Sequence, residues 1–216
     1  MSAPRLVTFD IFGTVVDWRA GLERDCAAAG RPLDPGEFDG IVDRQGELER
    51  GPYASYAEIT RRSLVEVIGL GDGAAARIGA SLGAWPLFPD SAAALGALMG
   101  SVACAAMSNS DRAHGEEVQA RLGFRLSDWL CAEDTRRYKP DPSFWHAMAA
   151  RSGIAPGPDW WHVSAYADYD LAAANRLGLT TVFVSRPHAK PGPASHAVAD
   201  LSELAAAWDS LAGSRS

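Results

Sequence analysis

Three observations predict an α/β fold with a parallel sheet and an inserted helical segment. An apolar, β-branched run near the start, "RLVTFD", ends in a single acid, Asp10. Residues 16–85 then carry helical periodicity without a strand pattern. From about residue 86 onward helix and strand alternate. Such alternation implies a parallel sheet covered by helices on both faces. The insert after the first strand is expected to lie over the carboxyl ends of the strands, where open α/β sheets place their sites.

Each element has its own signal. Residues 5–10 read as a buried strand ending in Asp-x-x-Gly-Thr. In "DWRAGLERDCAAAG", Trp18, Leu22 and Cys26 share one helical face and Gly30 is a stop. The next helix is predicted to start with Asp34 as N-cap and Pro35 in the first turn, with Phe38, Ile41, Gln45 and Leu48 at helical spacing. Ser55 and Glu58 have the spacing of a capping box ahead of a third helix. A short helix, "AAARIGASLGAW", closes the insert, and "PLFPDS" breaks the pattern. A helix over about 91–99 and a strand over 102–108 follow. Then come a helix stopped by Gly123, a short strand "WLCAED", and a helix with Pro142 near its start. The strand "WWHVSA", the helix "DLAAANRLG", the strand "TTVFVS" and a final helix over about 200–212 complete the series. The prolines of "SRPHAKPGPASHA" mark a loop. The division expected is a core of residues 1–15 and 86–216 and a helical cap of residues 16–85.

Composition narrows the function classes. The chain has 216 residues, 47% hydrophobic and 22% charged, as in globular proteins. No apolar run approaches the roughly 20 residues of a membrane span. Asp10 comes too early to leave room for a signal peptide, so a cytoplasmic location is expected. A net charge of −7 argues against general nucleic-acid binding. Cys26, Cys104 and Cys131 fit neither a disulfide framework nor a zinc site by number or spacing. Of 20 basic residues only Lys139 and Lys190 are lysines. A lysine retained in an arginine-rich chain points to a need for a compact ammonium. Lys190, in a proline-rich loop, needs no such explanation.

Four points fall at strand ends or just after them: Asp10, Ser108-Asn109, Lys139 and the 164–170 segment. Strands of one parallel sheet put these ends on one edge, so the four can converge. Each has a plainer alternative. Asp10 could cap the turn before Gly13. Thr14 could donate to that carboxylate or cap the next element. Ser108 could bind an anion or act as an N-cap, in competition with Ser110 and Asp111. Lys139 could be a solvated loop residue, although Pro140 and Pro142 would stiffen its loop.

"FDIFGTVVD", "MSNSD", "YKPDPSFW" and "DYDLAAANRLGL" resemble, in order, the four motifs of the haloacid dehalogenase superfamily. The resemblance covers nearly the whole chain, cap included. It implies a Rossmann-like core and an Asp10 nucleophile that forms a covalent ester. Most members are magnesium-dependent phosphatases in which a second Asp, two residues on, moves a proton. Here Phe12 stands there, and a phenyl ring cannot move a proton. Halide needs no proton to leave. An aromatic at this place, usually Tyr, is similar to the 2-haloacid dehalogenase branch, which implies hydrolysis of short 2-haloacids to 2-hydroxyacids without a cofactor.

Further roles follow from the resemblance. "DRQGELE" resembles the segment holding the halogen-binding arginine, which assigns Arg44, with Leu48 lining the same pocket. Ser108, Asn109, Ile11 and Phe12 would bind substrate, and Lys139 would neutralise charge around Asp10. Asp170 becomes the acid paired with Lys139. Trp145, where the family's aromatic is a Tyr, and Tyr166, within "SAYADYD" where the family's Ser-x-Asn is absent, would also bind substrate. Related dehalogenases are often dimers, which makes a homodimer an expectation by analogy. The rival readings are a magnesium hydrolase using Asp10, the Phe12 carbonyl and Asp168 or Asp170, and a non-catalytic binding module. A phosphonatase mechanism lacks its cap lysine, since residues 16–85 contain none.

Overall fold

The computed structural model describes residues 4–213. The ends of the expected core, residues 1–3 and 214–216, lie outside the described residues. Strand β1 (Leu6–Phe9) is followed by four helices, α1 (Trp18–Ala28), α2 (Glu37–Glu49), α3 (Tyr56–Ile68) and α4 (Asp72–Ala80). Then come α5 (Ser91–Met99), β2 (Ala103–Ser108), α6 (Arg112–Leu122), β3 (Asp128–Cys131), α7 (Ala132–Thr135) and α8 (Pro142–Ser152). The chain continues through β4 (Trp160–Ser164), α9 (Ala172–Arg176), β5 (Thr180–Val184), β6 (His196–Val198), α10 (Leu201–Ala206) and α11 (Trp208–Ala212). The strands form one sheet in the order β3-β2-β1-β4-β5-β6, and every pairing is parallel.

β1 is central, and all four of its residues are buried. That fits its continuous rather than alternating apolar character. Phe9 pairs in register with Ala106 on one side and Val163 on the other. The carboxyl ends of β1, β2 and β4 therefore lie level, and the residues just beyond them meet. Among the described residues, no strand interrupts the stretch from α1 to α4. Several hydrogen bonds tie this helical stretch to the segments beyond the strand ends. Asp111, after β2, accepts hydrogen bonds from the Tyr56 and Ala57 amides at 2.8 and 2.9 Å, capping α3 from outside. The Tyr138 hydroxyl donates to the Ala54 carbonyl.

Some boundaries differ from expectation. α2 begins after Gly36, at φ +86°, rather than at an Asp34 cap. Glu37 holds that turn instead, accepting from the Asp34 amide at 2.8 Å while pairing with Arg31. The Ser55 cap is as expected, accepting from the Glu58 amide at 3.2 Å. The last helix of the insert stops at Ala80, before a 3₁₀ turn over Leu82–Ala84. β6 overlaps the end of the stretch expected to be a loop, at His196 and Ala197, and runs on to Val198. It adds a strand of three residues at the sheet edge. The final helix divides at Ala207 into α10 and α11.

Candidate active site

Asp10 follows β1 directly, and its amide donates to the Val163 carbonyl at 2.9 Å. The turn beyond it requires Gly13. That residue sits at φ +97°, and a Cβ there would run into the Tyr166 ring. The turn brings Thr14 back over the carboxylate. Its hydroxyl donates to Asp10 Oδ2 at 2.7 Å and accepts from the Ala165 amide at 2.9 Å. Of the two roles the sequence left open, Thr14 takes the first.

Lys139 is 1% exposed, so it is not a solvated loop residue. Its Nζ donates to Asp10 Oδ1 at 3.0 Å and Asp170 Oδ2 at 2.7 Å. Burial works against the ammonium, but the two carboxylates outweigh it and raise its pKa above the usual lysine range. Burial also pushes the Asp10 carboxyl up, against the pull of Lys139 and the Thr14 hydrogen bond. For Asp170 burial is overcome by Lys139 and His162, which hold the carboxyl well below the usual range. Asp10, Thr14, Lys139 and Asp170, named from three separate stretches, are thus linked by direct contacts.

A cavity of about 560 Å³ opens over this group, with Asp10, Ser108 and Lys139 at its buried end and Phe12 and Tyr166 along its walls. Four cations, Arg50, Arg136, Arg137 and Lys190, are exposed and line it at the rim. Asp43 and Asp141 line the cavity as well, Asp141 at 4.0 Å from Arg137. Ser108 donates to Ser110 at 2.9 Å. Asn109 lines the cavity but is fully engaged by the protein. Its Oδ1 accepts from the Lys139 amide at 2.7 Å, and its Nδ2 donates to the Lys139 carbonyl and to Glu49 at 3.1 and 3.2 Å. It clamps the Lys139 loop to the loop after β2.

Four assigned residues lie away from the cavity. Arg44 points to the outer side of α2, where it pairs with Glu47 and Glu66, both at 2.6 Å. Leu48 is half-buried and packs against the core. The reason is helical phase. Val42, Gln45, Gly46 and Glu49 form the face of α2 that lines the cavity. At about 100° per residue Arg44 and Leu48 fall on other faces. Ile11 is fully buried in the core. Trp145 is also buried, its ring edge against His162 with centroids 6.0 Å apart. Arg44→Ala is therefore expected to leave kcat/KM within about threefold of the parent, because exposed ion pairs are worth only about 0–1 kcal/mol. A steady-state comparison checks it.

Two residues escaped the sequence reading. Glu49, in the last turn of α2, reaches the cavity and Asn109. Burial raises its carboxyl to about 8, only partly opposed by Lys139. At neutral pH this favours the protonated form. With its folded pKa raised, the neutral form prevails below about 8 and is lost as pH rises through that value. An anionic substrate is then expected to show a KM that climbs above pH 8, and Glu49→Gln to flatten that limb. KM measured from pH 6.5 to 9 in both proteins decides this. The only sequence signal was its i+4 spacing from Gln45. His162, inside the apolar strand β4, is the second; its Nε2 lies 3.1 Å from Asp170 Oδ1.

A magnesium site finds little support in these donors. Such an ion takes several oxygen ligands in near-octahedral geometry. Among the described residues no group of three His, Cys, Asp or Glu side chains could hold a metal. Thr14, Lys139 and His162 face the oxygens of Asp10 and Asp170. Asp168 is exposed and accepts from the Tyr169 amide at 2.9 Å.

The parallel α/β core thus carries a buried aspartate–lysine–aspartate group at its strand ends, beneath an open cavity. Residues 4–178 match the family of haloacid dehalogenase-like hydrolases, and the chain belongs to that family. It is 28% identical to (S)-2-haloacid dehalogenase 4A of Burkholderia cepacia, over 96% of this chain and 95% of that protein. It is 25% identical to (S)-2-haloacid dehalogenase 1 of Pseudomonas sp. (strain CBS-3), over 94% and 96%. The crystal structure of an L-2-haloacid dehalogenase superposes with a TM-score of 0.81 at 26% identity, covering 96% of this chain and 99% of the other. No helix among the described residues is long and apolar enough to cross a membrane.

Proposed function

We propose that this chain hydrolyses the carbon–halogen bond of short (S)-2-haloacids, giving 2-hydroxyacids. The observation that carries the reading is Phe12. It lies at the cavity beside an Asp10 already aligned by Thr14 and Lys139, at a position that offers no proton donor. A leaving group that needs no proton suits this arrangement. The similarity along the full length to two (S)-2-haloacid dehalogenases supports it.

The substrate carboxylate enters past the cationic rim and settles near Ser108. A carboxylate oxygen of Asp10 attacks C2, the carbon–halogen bond breaks, and halide leaves with the bonding pair. Water then attacks the acyl carbon of the Asp10 ester. The acyl–oxygen bond breaks, the hydroxyacid departs, and one proton is released to solvent. Lys139 stabilises the negative charge that develops on the acyl oxygen. The reaction needs no metal. A cytoplasmic setting and a homodimeric assembly belong to the same reading by analogy.

The test is halide release from 2-chloropropionate or a haloacetate with EDTA present. Release that persists under EDTA supports the reading. No halide across a short haloacid panel, with magnesium-dependent release of phosphate from phosphate esters instead, would overturn it.

A further inference from the structure

Behind the nucleophile runs a line of buried polar groups that no step above has used. Thr8 on β1 and His162 on β4 are register partners in the central strand pair, and both are fully buried. Trp160 Nε1 donates to Thr8 Oγ1 at 2.8 Å. Thr8 Oγ1 lies 2.8 Å from His162 Nδ1, and His162 Nε2 lies 3.1 Å from Asp170 Oδ1. Asp170 Oδ2 meets Lys139 at 2.7 Å, and Lys139 meets Asp10 at 3.0 Å. The line thus passes from the middle of the sheet to the attacking carboxylate through five side chains after Trp160.

The directions are fixed by chemistry. An ionised carboxylate only accepts, so the His162 nitrogen facing Asp170 carries the proton. Thr8 receives the indole N–H, and its hydroxyl lies within hydrogen-bond reach of Nδ1. The contact from Thr8 to the Trp161 carbonyl is longer, at 3.3 Å, than the one to His162. Trp145 closes the side of the imidazole with its ring edge.

We infer that His162 is a positioning residue for the hydrolytic half of the reaction, acting through Asp170 on Lys139. The inference rests on the ester mechanism proposed above. In the resting site Lys139 is shared between two carboxylates. Once Asp10 is esterified it is neutral, and Asp170 is the anion left in contact with Lys139. The ammonium must nevertheless stay aimed at the acyl oxygen, where charge develops as water attacks. Asp170 can leave it there only if its own position is fixed from the far side. His162 supplies that hold at Oδ1, so its loss falls hardest on the second half-reaction.

The experiment follows the Asp10 adduct by intact-protein mass spectrometry in single turnovers of 2-chloropropionate. His162→Leu is expected to slow adduct decay by about 10- to 100-fold, the scale on which outer-shell partners act, while formation changes much less. The adduct then accumulates. His162→Asn, whose amide can still donate, is expected to recover part of the decay rate. Thr8→Val, which leaves Asp170 and His162 in place, is expected to shift the balance in the same direction by less. Formation and decay slowed equally, with no recovery in the Asn variant, would reduce His162 to a packing residue and overturn the inference. Decay at the parent rate in both His162→Leu and Thr8→Val overturns it too. A parent protein that never forms the adduct overturns the ester reading itself, and the inference with it.

Discussion

Asp10→Asn is expected to abolish halide release, lowering kcat by roughly 10⁴- to 10⁶-fold, the range seen when a nucleophile is removed from an intact site. The carboxamide has nearly the shape of the carboxylate but is a far weaker nucleophile, and no neighbour replaces it. Asp170 is the other carboxylate of the group, and Lys139 and His162 occupy both its oxygens from within the protein. Glu49, its carboxyl raised to about 8 by burial, is tied to Asn109. Fold should survive, since Thr14 and Lys139 keep Asp170 and the Ala165 amide as partners. Single turnover of the parent protein in ¹⁸O-labelled water gives the companion result. One label is expected in Asp10, because water attacks the ester at the acyl carbon. Label found only in the product would mean direct attack by water on C2, with Asp10 acting as general base rather than nucleophile.

The catalytic group was legible because each member sits where topology forces convergence. Asp10 ends the first strand, and Lys139 is one of two lysines in the chain, in a proline-stiffened loop. In a parallel sheet such positions share an edge whatever the details of packing. Arg44 was not legible in the same way. Its assignment needs the rotational phase of α2 about its own axis, and that is set by tertiary packing. Phe38, Ile41 and Gln45 are the buried residues of α2, and their burial turns Arg44 outward to Glu66. The same rotation delivers Glu49 to the cavity. His162 was hidden for the opposite reason. A lone polar residue in "WWHVSA" looks like an interruption of a buried strand, and only the cross-strand register with Thr8 gives it a purpose. β6 has three residues within a run rich in proline and glycine, too short for an alternation pattern to register.

Lys139→Met should test the electrostatics most severely. Methionine fills much of the same space but leaves two carboxylates facing each other without a counter-charge. Breaking a buried charge group by removing one partner costs about 3–5 kcal/mol, a large part of the stability of a domain this size. The loss should depend on pH with a definite sign. In the parent protein Asp170 has a depressed pKa, so it contributes stability above the ordinary carboxylate range and loses it as pH falls through the folded value. In the variant Lys139 no longer lowers either carboxyl, and burial with mutual repulsion pulls both upward, opposed at Asp170 by His162 and at Asp10 by the Thr14 hydrogen bond. Their contribution then holds below the ordinary carboxylate range and is lost as pH rises through the raised values. The variant's deficit in thermal midpoint should therefore be largest at pH 8 and shrink toward pH 5. A deficit that stays constant across that range would mean that the packing of Lys139, not its charge, holds the site together. Activity should fall by several orders of magnitude, because an Asp10 drawn toward its protonated form is a poor nucleophile. Lys139→Arg should not restore it. The ammonium is fully buried between two carboxylates 2.7 and 3.0 Å away, and a planar guanidinium does not fit a gap shaped for a point charge.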